Sequence, residues 1–223
     1  MGQRLGLAEE IDGRVQLLKR HLPYHESDHV LNLAYNALLD GQRLEDIELR
    51  RNDEAFLDGL GAQRIPDPTT SGDFTRRFDE EAMVDLMAAI NSTRQRVWKE
   101  QPRGFLSQAF IDTDGTIAPT LGECKGGIGL SYKGIWGYAP LIISLANSRE
   151  VLYLVNRPGN VVSHEGCVPW IDRATQVSAS LCRRDYSSRG HRFYLNGRVG
   201  SLASPRDQIY LWHGCPSQSS PTG

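Results

Sequence analysis

The sequence predicts an α+β protein. We expect a helical N-terminal module, then the first half of a domain of three antiparallel strands and a helix, then an irregular C-terminal tail. Through residues 1–100 apolar residues recur at helical spacing, and from about residue 104 short apolar runs separated by turn residues are typical of strands. Residues 184–223 are rich in Ser, Gly and Arg with little periodicity, which is atypical of a folded core. The expected domains are therefore 1–100, 104–183 and 184–223.

Composition indicates a cytoplasmic protein. The chain has 223 residues, of which 39% are hydrophobic and 23% charged, enough to bury a core in one or two domains. With a formal net charge of −2, any nucleic-acid binding would depend on local basic patches. No apolar run reaches membrane-spanning length, and the N-terminus lacks the apolar core of a signal peptide. The cysteines form no C-x-x-C pair, so neither a zinc site nor a disulfide framework is indicated; they are Cys124, Cys167, Cys182 and Cys215.

The helical pattern begins near the N-terminus. Residues 11–22 carry apolar side chains at helical spacing, and Pro23 ends the run. Ser27 is a suitable N-cap for the next helix, which Asp40 and Gly41 are expected to close.

Further helices are expected up to residue 100. Residues 44–60 predict two short helices, and Pro66 and Pro68 within RIPDPTTSGDF predict a rigid linker turn. A long helix should start at Asp79 and turn its apolar residues inward; these are Met83, Leu86, Met87, Ile90 and Val97.

Three strands and a helix are expected next. The strands are residues 106–114, 139–146 and 151–156, which short connections should join into an antiparallel meander. A helix then runs toward Cys182. Strand, strand, strand, helix is the opening of a ribonuclease-H-like domain, in which a fourth strand should lie beside the first.

The first of these strands ends in two acids within IDTDGT. Because strand side chains alternate, Asp112 and Asp114 should share a face with Phe110. A carboxylate at a strand end beside Gly115 is a suitable ligand for Mg²⁺. The alternative is that Asp-Gly simply forms a hairpin turn.

Other residues also allow two interpretations. Basic residues of the helical module are candidates for phosphate contacts, or else they form a solvated face paired with nearby acids; they are Arg50, Arg51, Arg76, Arg77, Arg94, Arg96 and Lys99. His25 and His29 are four residues apart and could share a metal, but no third ligand is evident, so surface or capping roles are favoured. An unrelated enzyme using Cys124 or Cys167 with His164 is only weakly indicated.

Longer phrases carry a family resemblance. YHESDHVLNLAYNALLDGQRLEDIELRRNDEAFLDGLGAQRIPDPTTSGDFTRRF, IDTDGT, GECKGGIGLSYKGIWGYAPLIISLANSREVLYLVNRPGN and SHEG together resemble insertion-sequence transposases of the Asp-Asp-Glu type, across residues 23–183. The resemblance implies a ribonuclease-H-like nuclease and strand transferase that binds transposon-end DNA and works as a dimer. It also implies that Asp114 is the first catalytic carboxylate and a ligand of Mg²⁺ in two-metal phosphoryl transfer.

The chain departs from this family after Arg183. The Gly-Asp-Thr-Asp-Phe strand that supplies the second acid is missing, and so is the later catalytic Glu. One choice of admissible codons for residues 188–217, read in the frame that starts at the second base of each codon, encodes a continuation that contains Arg-Gly-Asp-Thr-Asp-Phe-Thr-Ser. We therefore infer a frameshift between about residues 178 and 188. We therefore expect a truncated, inactive transposase with a disordered tail. The alternatives are a DNA-binding fragment that inhibits intact transposase in mixed dimers, and a non-functional remnant.

Overall fold

The structure is a computed structural model that describes residues 5–21, 23–102, 105, 109–122, 125–162 and 164–182, and the strands at 193–196 and 210–212. The chain divides into two compact units, Met1–Val97 and Trp98–Gly223. Both helices and strands are present, so the α+β prediction is confirmed.

The described part of the first unit is helical. Its elements are α1 (Leu7–Arg14), α2 (Glu26–Leu38), a 3-10 turn (Leu44–Asp46), α3 (Ile47–Arg51), α4 (Glu54–Leu60), α5 (Pro68–Thr75) and α6 (Glu80–Lys99), whose last residues belong to the second unit. Two short helices between residues 44 and 60 and a long one after Asp79 agree with the sequence.

The first helix is shorter than the sequence predicts, because a distant carboxylate takes its backbone amides. The helix ends at Arg14 instead of continuing to residue 22. The amides of Leu17 and Leu18 donate to Oε1 of Glu26, at 3.1 and 2.9 Å, and not to helical carbonyls. Ser27 is likewise not an N-cap: its amide and hydroxyl both donate to the carboxylate of Asp12.

The predicted linker turn is in part a helix. Pro68 is the first residue of α5, where its missing N–H costs nothing. Asp67 is the N-cap, and its carboxylate accepts from the amide of Thr70 at 3.0 Å and from the Thr70 hydroxyl at 2.7 Å. This helix places Phe74 in the interior of the unit, 1% exposed.

The buried face of α6 differs from the prediction. Ala89 is fully buried and packs with Ile11 and Val15, whereas Met83 and Ile90 remain 41% and 37% exposed. The small alanine lets α6 approach this cluster closely, and Leu86 also packs against it, partly buried. The inward orientation expected for Met83 and Ile90 is therefore wrong.

The second unit contains two sheets. Its elements are β1 (Ala109–Gly115), β2 (Ala118–Pro119), β3 (Gly129–Leu130), β4 (Trp136–Tyr138), β5 (Leu141–Leu145), β6 (Glu150–Val155), α7 (Val168–Cys182), β7 (Phe193–Asn196) and β8 (Tyr210–Trp212). The larger sheet has the order β6-β5-β1-β7-β8, and the smaller has the order β2-β4-β3.

The three predicted strands form the antiparallel half of the larger sheet. β5 pairs with β1 on one side and with β6 on the other, both antiparallel. The connection from β1 to β5 is not short, however. Its glycine-rich sequence forms the smaller sheet, in which Gly137 lies so close to Ala118 that a Cβ atom would meet the Ala118 carbonyl oxygen at 2.2 Å.

The prediction of an irregular tail is wrong for β7 and β8. β7 pairs with β1 in parallel, and β8 pairs with β7 in parallel. Aromatic and branched residues favour strands, and the free edge of β1 offers unpaired N–H and C=O groups to them. Because the Gly-Asp-Thr-Asp-Phe strand is missing, the first strand was expected to lack this neighbour, and that expectation is also wrong. The remaining residues of 184–223 lie outside the described part.

Helix α7 covers one face of the larger sheet. Trp170 of α7 contacts Tyr153 of β6, with ring centroids 5.4 Å apart. Tyr153 is in register with Ile143, and Ile143 with Thr113, so α7 lies on the face that carries the fully buried Ile111. Asp112 and Asp114 belong to the opposite face.

Replacing the N-cap of α5 should destabilise the first unit. Asp67→Ala removes two hydrogen bonds at the helix start, and we expect a loss of about 1 kcal/mol in the free energy of unfolding. Urea unfolding measures it. Asp58→Ala, at an exposed position within α4, is the control and should change stability by less than about 0.5 kcal/mol. Equal losses in the two variants would contradict the capping role.

Candidate functional site

Asp114 lies at the end of the central strand of the larger sheet. It is exposed, one residue before β1 ends, and pairs in register with Ile142 of β5. Its Oδ1 accepts from the amide of Gly115 at 2.8 Å. Gly115 is itself in the strand and pairs with Leu141, so the alternative of an Asp-Gly hairpin turn is excluded.

Among the described residues, few further carboxylates lie near Asp114. Asp112 lies two residues earlier on the same face, half-buried, in register with Ser144 of β5 and Asn196 of β7. Strands β7 and β8 have the sequences FYLN and YLW, without an acid. Asp185 and Asp207 of the tail lie outside the described residues. Throughout the described part of the chain, Asp114 belongs to no trio of His, Cys, Asp or Glu side chains close enough to share an ion.

Two of the predicted DNA-contacting arginines are tied to the protein. Arg96 donates to the carboxylate of Glu10 and, at 3.1 Å, to the carbonyl of Leu5. Arg94 donates to the side chain of Asn91. Both arginines are only partly exposed, and their contacts join α6 to itself and to α1. They act first as structural residues of the helical unit.

Most of the other basic residues are exposed. Arg76 has 76% of its side chain accessible and pairs with Asp73 at 2.6 Å. Arg51 pairs with Glu48 at 3.2 Å, and Arg50 donates to the carbonyl of Leu39. The exposed positions are Arg51, Arg76, Arg77 and Lys99. Exposed pairs of this kind are weak, so phosphates can compete for the arginines.

His25 and His29 do not face each other. His29 is buried and stacks on Phe74, with centroids 4.3 Å apart and planes 13° apart. The surface role expected for His29 is therefore wrong. His25 is exposed at the start of α2, as expected, and stacks instead on His21, with centroids 5.5 Å apart.

A cluster that the sequence did not reveal surrounds His25. One ligand atom from each of His21, His25 and Glu26 lies within 4.8 Å of the other two. The cluster does not contain His29, so the pairing of His25 with His29 that the sequence suggested is replaced by His21 and Glu26. His21 precedes α2 in an irregular segment, so helical spacing does not indicate that it lies near His25. The sequence feature that could have indicated the site is the pair of histidines, His21 and His25, with the acid Glu26 directly after the second.

Burial and hydrogen bonds act in opposite directions on Glu26. Burial would raise the pKa of this carboxyl, but the amides of Leu18, Glu26 and Leu17 hold the pKa below its ordinary value. The carboxylate is therefore charged at neutral pH although the residue is 1% exposed.

The cysteine alternative gains no support. Cys167 is buried next to the start of α7, and burial raises the pKa of its thiol, which disfavours the nucleophilic thiolate. His164 is exposed, and the contact between the two residues joins the Cys167 amide to the His164 carbonyl at 3.4 Å. Cys124 lies outside the described residues.

Comparisons with protein-family models, curated proteins and solved structures give no significant match to this chain. Among the helices of the described residues, none combines the length and apolar character needed to cross a membrane.

Buried His29 should make stability depend on pH. Burial lowers the pKa of His29 below its ordinary value of 6.5; the carboxylates of Asp28, Glu26 and Asp67 oppose this shift, and Arg77 adds to it. The unfolded chain therefore binds this proton more readily, so stability is complete above about pH 6.5 and falls as pH decreases, by at most about 1.4 kcal/mol per pH unit.

Chemical unfolding between pH 7.5 and 5 measures this effect. His29→Phe retains an aromatic ring against Phe74 and should flatten the dependence, whereas His164→Phe, at an exposed position, should leave it unchanged. An unchanged slope in His29→Phe would contradict the assignment.

Proposed function

We propose that the chain derives from an insertion-sequence transposase of the Asp-Asp-Glu type, binds transposon-end DNA in the cytoplasm, and does not cleave it. The observation that carries this proposal is the strand order β6-β5-β1-β7-β8. Three antiparallel strands, a helix, and then strands parallel to the first are what a ribonuclease-H-like domain requires. Asp114, to which the sequence resemblance points, lies at the end of its central strand.

The described residues do not fit a pair of Mg²⁺ ions. Two-metal phosphoryl transfer needs several carboxylates that hold two ions about 4 Å apart. Asp114 contributes one carboxylate with one oxygen already bonded to the Gly115 amide. Strand β7, next to β1 where the second acid is expected, contributes none. We therefore derive no cleavage step for this chain.

A change of reading frame explains the missing acid. The resemblance ends near Arg183, where α7 has just finished, and one choice of admissible codons for the following residues, read one base out of frame, encodes the Gly-Asp-Thr-Asp-Phe motif. The segment that stands in place of this motif still contains residues that favour strands, and part of it, Phe193–Asn196, forms β7, which pairs with β1. The fold is thus retained where the catalytic residue is lost.

DNA binding is assigned to the helical unit. Arg76 and Arg77 follow the end of α5, and both are exposed. A guanidinium at such a position can exchange its weak contact with Asp73 for a phosphate and release a counterion from the DNA. The formal charge of −2 means that this local patch, and not the charge of the whole chain, must provide the attraction.

Binding without cleavage is the first expected outcome. In a mobility-shift assay the purified chain should bind DNA carrying the cognate terminal repeats and should leave it uncut in Mg²⁺.

A chain whose reading frame is corrected after residue 183 should regain Mg²⁺-dependent cleavage of this DNA. Asp114→Ala in that corrected chain should reduce the cleavage rate at least about 10³-fold, because the first metal ligand is lost. Cleavage by the uncorrected chain, or a gene in which no one-base shift restores the motif, would refute the proposal.

Arginine variants distinguish DNA contacts from structural contacts. Arg76→Ala with Arg77→Ala should weaken binding of all sequences and reduce the magnitude of the salt slope by about 2, one unit for each lost phosphate contact. Arg96→Ala should lower the unfolding midpoint, because it removes the contacts with Glu10 and Leu5. Arg149→Ala, an exposed residue of the second unit, is the matched control and should alter neither. An unchanged salt slope in the double variant would refute the assigned contacts.

A further inference from the structure

The cluster of His21, His25 and Glu26 has no part in the proposed DNA chemistry. It belongs to the first unit, where α2 begins and the segment after α1 returns toward it. Nδ1 of His21 and Oε2 of Glu26 are 3.1 Å apart. The rings of His21 and His25 are nearly parallel, with an interplanar angle of 14°.

These distances suit a tetrahedral metal ion. Zinc bonds of about 2.0–2.1 Å place neighbouring ligand atoms roughly 3.3 Å apart. The His21–Glu26 separation already matches that edge, and the third ligand atom lies within 4.8 Å of both others. Both histidines are exposed, so a rotation of the His25 side chain can close the remaining gap without disturbing the interior.

The carboxylate is oriented before any ion arrives. Oε1 of Glu26 accepts from the amides of Leu17 and Leu18, which leaves Oε2 directed toward His21. Outer hydrogen bonds of this kind orient a metal ligand and reduce the entropy lost on binding. A carboxylate that is 1% exposed lies in surroundings of low dielectric constant, where its attraction to a cation is stronger than on an open surface.

We propose that His21, His25 and Glu26 bind one Zn²⁺ ion, with water in the fourth position. Two imidazoles and one carboxylate are a donor set that zinc favours, whereas Mg²⁺ and Ca²⁺ prefer oxygen ligands alone. The ion joins the segment after α1 to the start of α2, so it stabilises the helical unit. The site is independent of Asp114 and of the proposed DNA binding.

Titration of the full chain with Zn²⁺ alone tests the site. Isothermal calorimetry should give one equivalent per chain, and Co²⁺ in its place should give the visible absorption of a tetrahedral ion. His21→Ala and His25→Ala should each weaken Zn²⁺ binding by about tenfold or more. His164→Ala, an exposed histidine of the second unit, should bind Zn²⁺ as the original chain does.

Two further measurements complete the test. The unfolding midpoint should rise with Zn²⁺ concentration in the original chain and not in His21→Ala. Circular dichroism without metal should show that both alanine variants keep their helices, since the two side chains are exposed. Absence of stoichiometric binding would show that His21 and Glu26 form only a hydrogen bond, and would overturn the proposal. Binding that survives both alanine variants but is lost in His191→Ala with His213→Ala would also overturn it.

Discussion

The pairing of β1 on both edges is the constraint on which the second unit depends. β1 pairs with the antiparallel β5 on one side and with the parallel β7 on the other. It is therefore the central strand that joins the two halves of the larger sheet. α7 then covers one face, which leaves the alternate residues Asp112 and Asp114 on the other. The position of the acids follows from this alternation and requires no special backbone conformation.

Local sequence patterns were sufficient to predict the elements whose formation depends mainly on their own residues. Helical periodicity predicted the long α6 and α7, and the apolar runs predicted β5 and β6. The position of Asp114 near a strand end was likewise predictable, because alternation and a following glycine are both readable in sequence.

Tertiary contacts decided the elements that sequence reasoning missed. Glu26 accepts hydrogen bonds from the amides that would have continued the first helix. Pro68, which was expected in a linker turn, is the first residue of α5. The cluster around His25 was equally hidden, because His21 comes from outside the helix and is positioned by a fold that periodicity does not describe. Strands β7 and β8 were missed because a free sheet edge can order residues whose own pattern is weak.

Charge in the helical unit is arranged mainly for stability. Arg96 and Arg94 satisfy groups on α1 and α6, and Glu10 accepts from both Arg14 and Arg96. The hydrogen bond from Arg14, followed by a contribution from Ser92 and the charge of Arg96, lowers the pKa of Glu10 against the opposing effect of burial. Charge counting alone therefore overstates how many arginines are available to a polyanion.

The parallel strand beside β1 has a consequence for the survival of the protein in a cell. An uncovered central strand would recruit other chains and mark the protein for chaperones and proteases. Here FYLN occupies that edge. A segment that covers this edge therefore lets the chain persist, and a persistent chain remains open to selection for some new use.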